Sequence, residues 1–233
     1  SNHHPMLPSI AIADLTDDSG KEILVPQPPA TSSGNSQLWL FKSDGYYADG
    51  WSSPYELACV HEDCGSGDDT GDMDATPAIG DIDADGELEI VVVTWDDPGV
   101  TTDEITYVTA IGHDAILDWQ SRYDTDSDEG DWDNDEHAIS SPILAVIYTG
   151  DGKNNLDVFT CTTPRCYALD GGDGEDDDGF DDELWFIELD DRANDNRIFT
   201  SPAASDVDGD GLIDFVIDGA VYSADLADLT LRS

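Results

Sequence analysis

One pattern recurs along this chain and leaves its fold little freedom: an acidic ladder followed at once by an apolar run rich in β-branched residues. Asp81-Ile-Asp83-Ala-Asp85-Gly86-Glu-Leu-Glu89 leads into Ile90-Val91-Val92-Val93. Asp206-Val-Asp208-Gly-Asp210-Gly211-Leu-Ile-Asp214 leads into Phe215-Val216-Ile217. A third copy, Asp14-Leu-Thr16-Asp-Asp18-Ser-Gly-Lys-Glu22, stands near the start. Each sets oxygen-bearing side chains at loop positions 1, 3, 5 and 9. Alternate carboxylates gathered in a tight loop repel one another when the loop is empty. A hard divalent cation with an appetite for six to eight oxygens resolves that conflict, and calcium is the usual one. The expected ligands are therefore Asp14, Thr16, Asp18 and Glu22 in the first loop, Asp81, Asp83, Asp85 and Glu89 in the second, and Asp206, Asp208, Asp210 and Asp214 in the third.

The loop is not an EF-hand. That motif needs a bidentate Glu at position 12 and a helix on each side. Position 12 here is Val25, Val92 or Ile217, inside an apolar run that reads as buried strand. The last acid has moved to position 9, at the mouth of the strand, so the expected unit is strand, metal loop, strand.

That unit repeats. Its first strand is announced by Pro8-Ser-Ile-Ala-Ile-Ala-Asp14, Thr76-Pro77-Ala-Ile-Gly-Asp81, Ser141-Pro142-Ile-Leu-Ala-Val146 and Ser201-Pro202-Ala-Ala-Ser-Asp206, and its end by an aromatic at Trp51, Trp119 and Trp185. Both markers return every 60 to 69 residues. Two further strand-like runs lie between them, for example Gln37-Leu-Trp-Leu-Phe41 and Thr106-Tyr-Val-Thr-Ala-Ile111. Four short strands per unit joined by Gly/Asp turns describe a propeller blade, and a proline at a strand start costs little hydrogen bonding. The expectation is an all-β, β-propeller-type repeat array of four four-stranded blades over 1–233, as one domain. The blades fall near 1–51, 52–119, 120–185 and 186–233, either closed as four or part of a larger ring. The aromatic markers, sharing one phase of the repeat, are expected to pack between blades.

Unit 3 departs from the pattern. Val146 and Tyr148 replace the first two aspartates, and Tyr148-Thr-Gly-Asp151-Gly-Lys-Asn-Asn155-Leu-Asp157 is longer than the matching stretch of the other units. Weak cation binding or none is expected there, with the strand that follows retained.

The ladder string with its Ser/Thr-Pro lead, together with Leu38-Trp-Leu-Phe-Lys-Ser-Asp44-Gly45 and Asp49-Gly-Trp51, resembles the FG-GAP/VCBS repeats of integrin-alpha-like β-propellers. The resemblance implies a calcium ion in each competent loop, about three in all, an extracellular or cell-surface location, and a role in adhesion or ligand display.

Charge narrows the partners. The chain carries 54 Asp plus Glu, of which 43 are Asp, against 8 Lys plus Arg, for a formal charge of -46. Nucleic acid and anionic membrane surfaces would be repelled. Calcium loops and an acidic, salt-adapted surface both account for such a balance. No run of eighteen apolar residues predicts a membrane helix, and direct membrane insertion is not expected. The opening Ser1-Asn-His-His-Pro has neither an initiator Met nor a signal peptide and reads as a processed or internal start. Cys59/Cys64 and Cys161/Cys166 form two local pairs about a hundred residues apart, better suited to two disulfides than to one zinc site. Disulfides place the chain outside the reducing cytosol.

Function is expected to be structural or adhesive, with a protein or cell-surface glycan as partner and self-assembly or incorporation in a larger ring open. A lectin-like propeller is the rival reading, with a propeller-type polysaccharide-degrading enzyme behind it. The five histidines form no HExxH-like cluster, and carboxylates are too abundant for any pair to stand out as acid and base. Among the longer acidic loops, Asp124, Asp126 and Asp128 repeat the alternation and are a further candidate for calcium.

Overall fold

The apolar runs behind the ladders are β-strands, each paired with the short strand ahead of its loop. The computed structural model describes residues 8–16, 20–29, 34–60, 71–96, 105–124, 140–147, 155–162, 165–172, 183–188, 201–217, 219–225 and 228–231. Sheet 1 holds β1 (Ala11–Ala13), β2 (Glu22–Gln27), β3 (Gln37–Phe41) and β4 (Tyr55–Glu56). Sheet 2 holds β5 (Ala78–Gly80), β6 (Glu89–Asp96), β7 (Ile105–Ile111) and β8 (Leu117–Asp124). Sheet 3 holds β9 (Ile143–Ala145), β10 (Asp157–Cys161), β11 (Arg165–Leu169) and β12 (Glu183–Glu188). Sheet 4 holds β13 (Ala203–Ser205), β14 (Asp214–Ile217), β15 (Ala220–Asp225) and β16 (Asp228–Leu231). All neighbours are antiparallel and in chain order, and no helix occurs among the described residues. The first three sheets run a few residues past Trp51, Trp119 and Trp185, because the aromatic stands ahead of or within the outer strand.

One register runs through all four sheets. The acid that opens the second strand faces the last residue of the first: Ala13 with Glu22, Gly80 with Glu89, Ala145 with Asp157 and Ser205 with Asp214. Sheet 3 keeps this arrangement, as expected, although its ladder is lost.

The core lies between successive sheets, and strand alternation distributes it. Along β6, Ile90 and Val92 share a cluster with Leu24, Leu38 and Leu40 of sheet 1, whereas Val91, Val93 and Trp95 share one with Val158, Tyr167 and Leu169 of sheet 3. Both faces of β6 are buried, so its sequence reads as a continuous apolar run. Phe159 and Cys161 turn the other way and pack with Phe215 and Ile217 of sheet 4, the two phenyl rings stacking with centroids 4.1 Å apart. Gly80 permits the close approach of sheets 2 and 3, since a Cβ there would come within 2.6 Å of Leu144 Cδ1.

Polar contacts between sheets use the repeat markers. Ser9 N donates to Thr76 Oγ1 (3.1 Å), Thr76 N to Ser141 Oγ (2.9 Å) and Ser141 N to Ser201 Oγ (3.0 Å). The hydroxyl of each Ser/Thr-Pro marker thus receives the amide of the marker before it. At the outer side, Trp51 Nε1 donates to His113 O (2.8 Å) and Trp119 Nε1 to Gly171 O (3.2 Å). Each indole reaches the hairpin turn of the following sheet, the packing role expected from its phase. Cys161 and Cys166 face each other across the β10–β11 hairpin and form a disulfide. Cys59 is disulfide-bonded too, and Cys64 lies outside the described residues.

Candidate metal centres

The ladder loops of sheets 2 and 4 fold the same way. Gly86 N donates to Asp81 Oδ2 (3.1 Å) and Gly211 N to Asp206 Oδ2 (3.0 Å), so the position-1 carboxylate gathers the loop around itself. Asp83 and Asp208 accept from the amides of Asp85 (3.0 Å) and Asp210 (3.2 Å), and Asp85 and Asp210 from Glu87 (2.8 Å) and Leu212 (2.9 Å). These bonds turn alternate side chains inward. Gly86 and Gly211 have positive φ, as do Ala84 and Gly209 at position 4, so the second loop holds a Cβ where the fourth unit has none.

The outcome is two oxygen clusters. Asp81, Asp83 and Asp85 bring one carboxylate oxygen each to within 4.8 Å of one another, and so do Asp206, Asp208 and Asp210. Both groups can hold a metal ion, and their all-oxygen donor set fits a hard cation such as calcium. Asp81 Oδ1 is buried without a hydrogen-bond partner, an oxygen that a cation would satisfy.

The position-9 acids stand apart from these triplets, and each has a second task. Glu89 Oε2 accepts from Ile82 N (2.8 Å), Asp214 Oδ2 from Val207 N (3.0 Å), and Glu22 Oε2 from Leu15 N (2.7 Å) and Thr16 N (3.2 Å). Asp157 of sheet 3 does the same toward Ile147 N (2.6 Å). All four acids are buried. A carboxyl oxygen accepting from the position-2 amide fastens the loop to the strand behind it. Sequence reading found the position and missed this bond; the acid retained at Asp157 without its ladder was the available signal.

In the first loop, Asp18 lies outside the described residues and Asp14 is exposed. Thr16 Oγ1 and Glu22 Oε1 are buried oxygens with no hydrogen-bond partner, the same unmet demand as at Asp81. The extra acidic alternation at Asp124, Asp126 and Asp128 also falls largely outside the described residues.

Buried and neighbouring carboxyl groups raise one another in sheet 2. Burial, reinforced by the charges of Asp83, Asp118 and Asp85, pushes the Glu89 carboxyl up to about 7 against the lowering effect of the Ile82 amide. Asp118, at the start of β8, is raised by burial and then by Asp83, Asp114 and Asp85, with His113 opposing. Asp118 thus belongs to the electrostatic surroundings of the second loop, which its position in the chain did not reveal. His113 Nδ1 lies 3.2 Å from Glu87 Oε2. Beside them a cleft of about 310 Å³ opens between the first two loops, walled by Asp14, Leu15, Thr16, Gly86, Glu87, Leu88 and His113.

No protein-family description matches the sequence, and no curated protein sequence does either. The fold has solved likenesses. One is the V. cholerae biofilm matrix protein Bap1, at 16% identity and a TM-score of 0.52 over 98% of this chain and 32% of that one. Another is the exotype rhamnogalacturonan lyase YesX, at 16% identity and a TM-score of 0.53 over 92% of this chain and 39% of that one. The chain spans about a third of the length of the first and about two fifths of the second.

Proposed function

We propose that this chain is an extracellular, calcium-stabilised module of the FG-GAP/VCBS propeller type. Its four sheets act as successive blades, and it works in adhesion to a protein or cell-surface glycan. The observation that carries the metal reading is the repetition of one oxygen cluster at the same register in sheets 2 and 4, with unmet buried oxygens in the first two loops. Calcium fits better than magnesium, because the loop offers several carboxylates, whereas magnesium keeps most of its waters and takes one or two. Calcium's role here is mechanical: it neutralises each ladder and fixes the turn between the first two strands of a blade. The disulfide of the β10–β11 hairpin supports a compartment outside the cytosol. An adhesive role also fits the likeness to a biofilm matrix protein.

Native mass spectrometry with and without a chelator, in low monovalent salt, tests the reading. Two or three calcium ions per chain are expected, together with a melting temperature that rises with the logarithm of free calcium. A chain that binds no calcium, or whose melting temperature ignores chelation, rules it out.

The cleft between the first two loops favours a second reading, a glycan site at the metal face. Asp14 and Glu87 give it acidic walls, so an acidic polysaccharide would enter only through a bridging cation. A glycan array run with calcium and again with chelator separates this lectin-like role from a purely structural one. We propose no catalytic step: one histidine held against a glutamate among carboxylates does not define an acid and base pair.

A further inference from the structure

Outside the ladders, one acid of sheet 2 stands where the other sheets have none. The β7–β8 pairing steps from Ala110 with Trp119 to Ile111 with Leu117, which leaves Asp118 as the extra residue of a β-bulge. A bulge bends its strand and re-aims a side chain. Both Asp118 carboxylate oxygens lie 3.6 Å from where a Cβ on Gly112 would stand, and Asp114 Oδ1 lies 3.2 Å from it. Ile111 pairs with Ile90, so the register extended by one residue sets Gly112 beside Glu89. Cross-strand neighbours share a face. Here one neighbour has no side chain, and carboxylates take the space beside the buried acid. By the same registers, Lys42 stands beside the position-9 acid in sheet 1, Asp170 in sheet 3 and Ser223 in sheet 4. The matching bulge of sheet 3 holds Leu184, the residue ahead of Trp51 in sheet 1 is Gly50, and β15 pairs with β16 without a bulge. Charge ties Asp118 to the second ladder. Burial raises its carboxyl, then Asp83, Asp114 and Asp85 do, and Asp118 adds to the effect of burial on Glu89.

We infer that Asp118 belongs to the second metal centre, an outer-strand carboxylate whose charge adds to those of Asp81, Asp83 and Asp85 and raises that centre's affinity for calcium. The inference rests on the calcium reading above. Asp118 is not among the three clustered oxygens, so it acts on the ion through space and takes no ladder position. An acid set beside like charges is unfavourable in the metal-free sheet, and a divalent cation reverses the sign of its contribution. Removing it therefore has opposite effects on the two states, which a purely structural acid would not produce. Gly112 is part of the arrangement, because any side chain there would press on both neighbouring carboxylates.

Calcium titration against a chromophoric chelator in low monovalent salt, with native mass spectrometry for the ion count, is the test. Asp118→Asn keeps the shape of the side chain and is expected to weaken one calcium site roughly tenfold and leave the others unchanged. In excess chelator, denaturant unfolding should find that variant as stable as wild type or more so. Two backgrounds locate the effect. It should persist in Asp208→Ala, which disables the ladder of sheet 4, and vanish in Asp83→Ala, which disables the ladder of sheet 2. High monovalent salt should shrink it, as befits a charge acting through space. Wild-type calcium constants in Asp118→Asn overturn the inference and leave the calcium reading standing. So does a variant that loses stability equally in chelator and in calcium with its constants unchanged, since Asp118 would then serve the sheet alone. A wild-type chain that binds no calcium overturns both.

Discussion

Sheets 2 and 3 share a strand order, a register and an interface, yet only one has a ladder. In sheet 2 the loop gathers Asp81, Asp83 and Asp85, and Glu89 closes it onto the Ile82 amide. In sheet 3 Val146 occupies the first ladder position, and Asp157 makes the equivalent closure onto Ile147. The flanking contacts differ in polarity as well. Glu87 of the second loop meets His113 of the β7–β8 turn, whereas the Asn155 amide donates to Asp170 beyond β11 (2.7 Å). The buried acid therefore belongs to the architecture of the sheet, and the ladder is a separate element, a carboxylate cluster that can hold a metal ion. A unit can lose the second and keep the first.

The largest effect should come from removing the shared element. Asp157→Ala leaves the Ile147 amide buried without its acceptor, and a loss of about 2–3 kcal/mol is expected. Denaturant unfolding should report it equally with calcium and with chelator, because no ladder stands in that loop. Glu89→Ala should cost a similar amount in chelator and more in calcium. Equal calcium sensitivity of the two variants would erase the distinction between the sheets.

Removing the ladder alone should be conditional. Asp83→Ala is expected to abolish the calcium-dependent part of the stability, about 2.7 kcal/mol for a site at a hundredfold excess over its dissociation constant, and to change little in chelator. Thermal melts at graded free calcium check both arms. A stability loss that persists in chelator would make Asp83 part of the sheet's own architecture.

A pH series sharpens the same contrast. Glu89 titrates near 7 in the metal-free protein, above its ordinary 4.5, because burial and the neighbouring Asp83, Asp118 and Asp85 disfavour its charge. A carboxyl raised on folding favours the folded state while protonated. Its contribution is fully present below the unfolded value and is lost as pH rises toward 7. Metal-free stability should thus fall across that window and level off above it. Calcium should remove the fall and release protons on binding below pH 7, measurable by calorimetry in buffers of different ionisation enthalpy.

The smallest effect lies at position 4. Ala84 sits at φ 63° where Gly209 of the fourth unit sits at 81°. Ala84→Gly relieves left-handed strain at the expense of unfolded-chain entropy, for a net gain of roughly 0.5 kcal/mol. Chemical denaturation resolves that gain if the m-value is unchanged; a loss would mean the Ala84 methyl packs usefully against the loop.

Much of this organisation could be read without coordinates, since its signals are local. Ladder spacing places the turn, β-branched runs mark the strands, and the five-residue interval between Cys161 and Cys166 suits a hairpin clip. The disulfide and the strands at Glu89–Asp96 and Asp214–Ile217 stand where those signals put them. The position-9 acid was harder. It reads as one more ligand, and nothing in the sequence shows that one of its carboxylate oxygens also accepts from a backbone amide. Asp118 was missed because its influence on the second loop acts through space across the sheet.

The sequence by itself determined the unit: which residues turn, which extend, and which oxygens converge within a few residues of one another. Tertiary structure alone decided the joints between units. Which face of β6 meets sheet 1, where the Trp51 and Trp119 indoles donate, and how the Ser/Thr-Pro hydroxyls relay all depend on partners some fifty to seventy residues away. Alternation along a strand buried on both faces looks the same read in either direction, so periodicity cannot assign its neighbours. Only docking of one sheet on the next breaks that symmetry.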